Sequence, residues 1–241
     1  MGINNLGVDA LVISGDIGEA TNIESYLRLI ADNVCLPIYF VLGNHDIYGG
    51  SIAEVRNRIS RLCAGSDKLI WLPQSELVQL SPETCLLGHD GWADGRNGNF
   101  MGSRIFLNDY RLISELRELG TAERQYRLHA LGDEAAEYFT RVLPKAIIEY
   151  KNLVLITHVP PFREACWHEG KISNDQYLPH FSCQAVGNVL RNMMLGSDAQ
   201  MTVLCGHTHS RGEVRILPNL VVKTGQAVYG SPAVNEIIFV T

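Results

Sequence analysis

Four short apolar runs, each closing on a polar cluster, constrain this chain more than any other feature. Val8 to Ser14 ends at Gly15-Asp16, and Pro37 to Leu42 ends at Gly43-Asn44-His45-Asp46. Asn152 to Thr157 ends at His158, and Gln200 to Cys205 ends at Gly206-His207-Thr208-His209. Runs of this length and aliphatic content predict strands. Between the first two, Ile23, Tyr26, Leu27 and Ile30 recur at helical spacing, and Ile52, Val55, Ile59 and Leu62 do so after the second. Strands alternating with helices predict an α/β fold. In such folds ligands gather beyond the carboxyl ends of the strands, so one site is expected to collect all four clusters.

Composition sets limits on that site. With 241 residues, 46% apolar and 19% charged, the chain can bury a sizeable core, and no repeat or linker divides it, so 1–241 reads as one domain. A net charge of −6 argues against a broad hold on nucleic acid or anionic lipid. No window approaches the apolar length of a membrane span, and Met1 to Leu6 lacks the features of a signal peptide, so a cytoplasmic location and no membrane partner are expected. The six cysteines form no C-x-x-C pair and read as buried thiols.

The remaining pattern predicts a hairpin from Glu76 to Leu80 and Thr84 to Gly88, a surface loop over Gly91 to Gly102, and helices over Asp109 to Glu118 and Gln184 to Leu195. A further helix is expected from an N-cap at Asp133 to Tyr150, kinked or split at Pro144. Strand-like pieces follow at Gly212 to Ile216, Leu220 to Thr224 and Asn235 to Val240.

A carboxylate, an amide and several imidazoles form a donor set suited to Mn, Fe, Zn or Mg. Two such cations can lower the pKa of a bound water and clamp both oxygens of an in-line phosphoryl displacement. Each residue also has a plainer reading: Asp16 as a helix N-cap, Asn44-His45-Asp46 as a polar turn, His158 as a turn residue before Pro160-Pro161. His207 and His209, as alternate residues of an extended segment, would point the same way. His89, Arg96 and Arg104 are weaker candidates for meeting a phosphate. His168 and His180, in the loop after Pro161, either border the pocket or, more simply, are surface residues, and Glu115 to Arg127 reads as a solvated helix face.

Gly15-Asp16-Ile17-Gly18-Glu19, Gly43-Asn44-His45-Asp46, His158 and Gly206-His207-Thr208-His209 resemble, in that order, the motifs of the calcineurin-like metallophosphoesterases. The resemblance implies a four-layer αββα sandwich of two mixed β-sheets. It implies that Asp16 bridges two divalent cations, that Asn44, His158 and His207 complete one site, and that His209 serves the other. His45 would then face the substrate as proton or hydrogen-bond donor to the leaving oxygen, with Asp46 orienting its ring. The family pattern opens with an Asp-x-His at the end of a first strand, and this sequence contains no Asp-x-His. The resemblance therefore leads us to expect that the natural start lies upstream of Met1, and that this chain has one tight cation site and weak activity. The implied function is metal-dependent hydrolysis of a small-molecule or protein phosphoester. The alternative is a catalytically weak or inactive scaffold on the same fold.

Overall fold

The computed structural model describes residues 3–240; Met1, on which the start-site expectation falls, lies outside them. The elements run β1 (Leu11–Ile13), α1 (Ile23–Asn33), β2 (Ile38–Phe40), α2 (Ile52–Ala64), β3 (Leu69–Trp71), β4 (Val78–Gln79), β5 (Thr84–His89), α3 (Asp109–Leu112), α4 (Thr121–Glu149) and β6 (Asn152–Thr157). They continue with β7 (Trp167–His168), β8 (Lys171–Ile172), α5 (Leu178–Phe181), α6 (Gln184–Met194), β9 (Gln200–Cys205), β10 (Gly212–Leu217) and β11 (Leu220–Thr224). One sheet has the order β1-β2-β3, all parallel. The other has the order β10-β11-β9-β6-β5-β4, parallel across β11-β9-β6-β5 and antiparallel at both edges. Among the described residues no strand precedes β1, which pairs on one side only.

Side-chain alternation sorts these strands into layers. Leu153 and Leu155 of β6 pack with α4 and α6, whereas Val154 and Ile156 face the other sheet. In β2, Ile38 and Phe40 pack under α1 and α2 while Tyr39 turns inward. Val41, Leu72, Leu86, Val154 and Ile156 form the seam between sheets. The order is helices, three-stranded sheet, six-stranded sheet, helices: the four-layer α/β sandwich.

Four local expectations need correction. The helix starts at Thr121, not Asp133, because its apolar stripe runs unbroken from Leu128 and Leu131 to Val142 and Ala146, and Glu123 accepts the Gly120 N–H at its entrance. Pro144 lies inside that helix without ending it. The Asp109 helix stops at Leu112, where the backbone turns to pair with residues 49 and 50: Gly49 N–H donates to Leu112 O and Ser114 N–H to Gly50 O. The Gly91–Gly102 loop is irregular but not superficial; Trp92, Asp94 and Phe100 are buried, and Asp94 accepts the Ala185 N–H at the start of α6. Asn235 to Val240 is exposed and forms no strand, since alternation without a neighbouring strand leaves its backbone groups in water.

Candidate metal centre

The carboxyl ends of β1, β2, β6 and β9 meet at one end of the sandwich. Val41 N–H donates to Ile13 O and Gly206 N–H to His158 O, so each strand end is tied to the next in its sheet. Asp90 joins the two sheets: its buried carboxylate accepts Leu42 N–H (2.8 Å), Trp71 Nε1–H (2.9 Å) and Arg56 Nε–H (3.1 Å). Glycine permits the closest approach. A Cβ at Gly15 would lie 2.5 Å from His158 Nδ1, and one at Gly43 would lie 2.1 Å from Asp16 Oδ1.

Asp16, Asn44, His158 and His207 converge there. Asn44 Oδ1 lies 3.0 Å from His158 Nε2 and 2.9 Å from His207 Nδ1, and His158 Nε2 lies 3.3 Å from Asp16 Oδ1. The outer partners of these groups decide their protonation. His158 Nδ1 faces the Ser14 carbonyl (2.7 Å) and His207 Nε2 faces the His180 carbonyl (2.9 Å). A carbonyl can only accept, so those nitrogens carry an N–H, which leaves His158 Nε2 and His207 Nδ1 as the ring atoms that face Asn44. The Asn44 amide is fixed likewise, its Nδ2 donating to Asp109 Oδ1 (2.8 Å) and Tyr48 Oη (3.0 Å), which leaves Oδ1 facing inward. Burial first of all, then the charge of His158, pulls the His207 pKa down to about 3, keeping that ring neutral. Asp16, Asn44, His158 and His207 thus each turn one ligand-type atom toward a shared point, an arrangement that suits a divalent cation.

Asp16 and His209 border a second position, their Oδ2 and Nε2 3.9 Å apart. Ligating atoms of Asp16, His209 and His45 lie within 4.8 Å of one another, a set that could hold a cation. Burial works to raise the Asp16 pKa, but the charge of His158 and the nearness of His209 outweigh it and hold the carboxyl below its usual range. Asp16, His207 and His209 all adopt positive φ, at 56°, 66° and 60°. The two histidines therefore sit in a tight turn, not in an extended segment, and it is the turn that spreads them over two positions.

Asp46 does not orient the His45 ring. Its carboxylate accepts four backbone N–H groups, from Asp16 (3.0 Å), Ile17 (2.8 Å), Gly18 (2.7 Å) and Gly43 (2.8 Å), and so fastens the strained Asp16 turn to the β2 end. Burial and the Asp16 charge push Asp46 up to about 8, the N–H donors opposing them. His45 instead stacks near-parallel with Tyr48 (4.4 Å between centroids) and Tyr229 (5.5 Å).

The weaker candidates lie elsewhere. His89 is buried against Tyr138 and Phe139 on the helix side of β5, accepting the Gly91 N–H. Arg96 is committed to Asp94 and Asp133 beside a groove of about 470 Å³ whose lining includes no residue of the cluster. Arg104 is exposed, its backbone N–H held by Gln176. His168 is partly buried near Thr208 O. His180 is no surface residue: its ring is buried between Tyr110 Oη (2.5 Å) and Ser103 Oγ (3.0 Å). Nor is Arg124 solvated, since it lies over the Phe106 and Tyr110 rings. Tyr48, Asp109, His180 and Tyr229 were not singled out by motif. Only Tyr48, one helical turn beyond Asn44, carried a sequence signal.

Two packed sheets between helical layers, with oxygen and imidazole donors gathered at the strand ends, define a metal-binding α/β sandwich. The chain belongs to the calcineurin-like phosphoesterase family, whose sequence profile matches residues 2–211. The family implies divalent metal ions, which the donor set above fits. Among solved structures, a dimetal phosphatase from Danio rerio is similar with a TM-score of 0.56 at 17% identity, over 93% of this chain and 74% of that one. GAP50, the anchor in the inner membrane complex of Plasmodium, is similar with a TM-score of 0.50 at 13% identity, over 97% of this chain and 68% of that one. At such identities the likeness is one of fold. No curated protein sequence matches the chain significantly. No described helix is long and apolar enough to cross a membrane.

Proposed function

We propose that this chain is a metal-dependent hydrolase of phosphate esters, acting on a small-molecule or protein phosphoester with Mn, Fe, Zn or Mg. The observation that carries this reading is the meeting of Asp16, Asn44, His158 and His207 at the joined strand ends, in a chain of the phosphoesterase family. Asp16, Asn44, His158 and His207 would hold one divalent cation and Asp16 with His209 a second. Cations held there supply charge for the phosphoryl oxygens and a lowered pKa for water. The protein's own part is to keep the His207 ring neutral, to aim His158 and His207 through their carbonyl partners, and to bring His45 to the leaving oxygen. Burial, above all, lowers the His45 pKa, against the charge of Asp16, so near neutral pH its ring serves as a hydrogen-bond donor.

Hydrolysis of p-nitrophenyl phosphate with Mn²⁺, abolished by chelation, is the expected result. His45→Ala is expected to lower kcat by about 10²–10⁴-fold with metal content unchanged. A second reading is favoured by the approach of His45 to Asp16 and His209: His45 is then the third donor of the outer position, and His45→Ala loses one cation as well as activity. Wild-type protein that binds metal yet hydrolyses neither mono- nor diester overturns the enzymatic proposal in favour of a scaffold.

A further inference from the structure

Tyr229 stands beside the candidate centre in a segment outside any regular element. Its ring lies at 18° to His45 and edge-on, at 87° and 5.1 Å, to His209, yet the residue is 73% exposed. Its segment is tied to the strand end that bears both turn histidines: Gly225 N–H donates to Cys205 O (2.8 Å) and Ala227 N–H to His209 O (3.4 Å). The other ring stacked on His45, Tyr48, is buried and has its hydroxyl engaged by Asp109. Tyr229 therefore offers the approaching ligand an open aromatic surface that Tyr48 does not, and the exposed Val228 extends it.

We propose that Tyr229 is an aromatic shelf that selects phosphoesters whose leaving group is planar and aromatic. The inference rests on the reading above in one respect: the leaving oxygen lies at His45, so its substituent meets the ring stacked there. Planar groups gain from offset or edge-on contact with a tyrosine beyond the area they bury, whereas a small alkyl group gains little.

The test compares phenylphosphonate with methylphosphonate, whose P–C bonds resist hydrolysis, by calorimetry on the Mn²⁺-loaded protein. Tyr229→Ala is expected to weaken phenylphosphonate binding by about three- to tenfold and leave methylphosphonate unchanged, with Tyr229→Phe restoring the preference. The ratio of kcat/KM for phenyl phosphate over ethyl phosphate should fall by the same factor, through KM. Equal losses on both phosphonates, an unchanged ratio in Tyr229→Ala, or no phosphonate binding by the wild type overturns the shelf. Failure of the hydrolytic reading shows differently: the phosphonate preference is present while no ester is turned over.

Discussion

On the inner side of the candidate centre every donor has a second partner that aims it: Ser14 O for His158, His180 O for His207, Asp109 for Asn44, and the Asp46-fastened turn for Asp16. On the outer side His45 and His209 rest against an exposed tyrosine and lie closer to solvent. The inner donors are oriented before any ligand arrives, and supporting bonds of this kind typically change metal affinity by about 10–100-fold. The outer imidazoles have ring contacts and the Asp16 carboxylate beside them in place of such hydrogen-bonded support. The inner side is built for holding and the outer side for exchange.

The largest break in that contrast should come from Asp16→Ala, which touches both sides. It is expected to abolish tight cation binding and lower kcat/KM by about 10³-fold or more, as metal content and steady-state rates would report. His207→Ala and His209→Ala then separate the sides. Calorimetric Mn²⁺ titration should show the first losing the tight site and the second retaining it, and the reverse order would refute the contrast. Asp109→Ala removes only support, so cation affinity is expected to fall by about 10–100-fold, with Asp109→Asn milder because its carbonyl can still accept from Asn44 and Tyr48.

His89 lies on neither side and gives the smallest functional effect. Burial first, then the Arg56 charge, lowers its pKa to about 4 against Asp90 and Glu134. A histidine kept neutral in the fold and protonated when unfolded contributes stability above its unfolded pKa of about 6.5, lost as pH falls toward 4. Denaturation midpoints for His89→Gln should therefore fall less steeply than wild type between those values, a difference of about 3 kcal/mol at most, with hydrolysis at neutral pH unaltered.

The inner donors are legible in the sequence because each ends an apolar run, and strand ends in one sheet are forced together by the ladder. Asp109 and His180 are not legible. Each reaches the centre from an irregular segment, and where such a segment lies depends on side chains far along the chain, Tyr110 on His180 and Gln176 on Ser103. Helix boundaries failed for a related reason. Ile113 leaves the helical path because Gly50 offers it a backbone partner, a long-range event that local periodicity does not encode. Asp46 reads in sequence as a partner of His45 because a carboxylate next to a histidine suggests a pair, whereas four backbone N–H groups from two loops present the stronger demand.

The long α4 helix has a mechanical consequence. Leu128 and Leu131 near its start are rooted in the core beneath the three-stranded sheet, and Ala135 to Ala146 in the core of the six-stranded one. A rod clamped in both halves makes them yield together, so heating should melt the two in a single step, and a protease nick within that rod would dismantle the candidate metal centre without touching any residue of it.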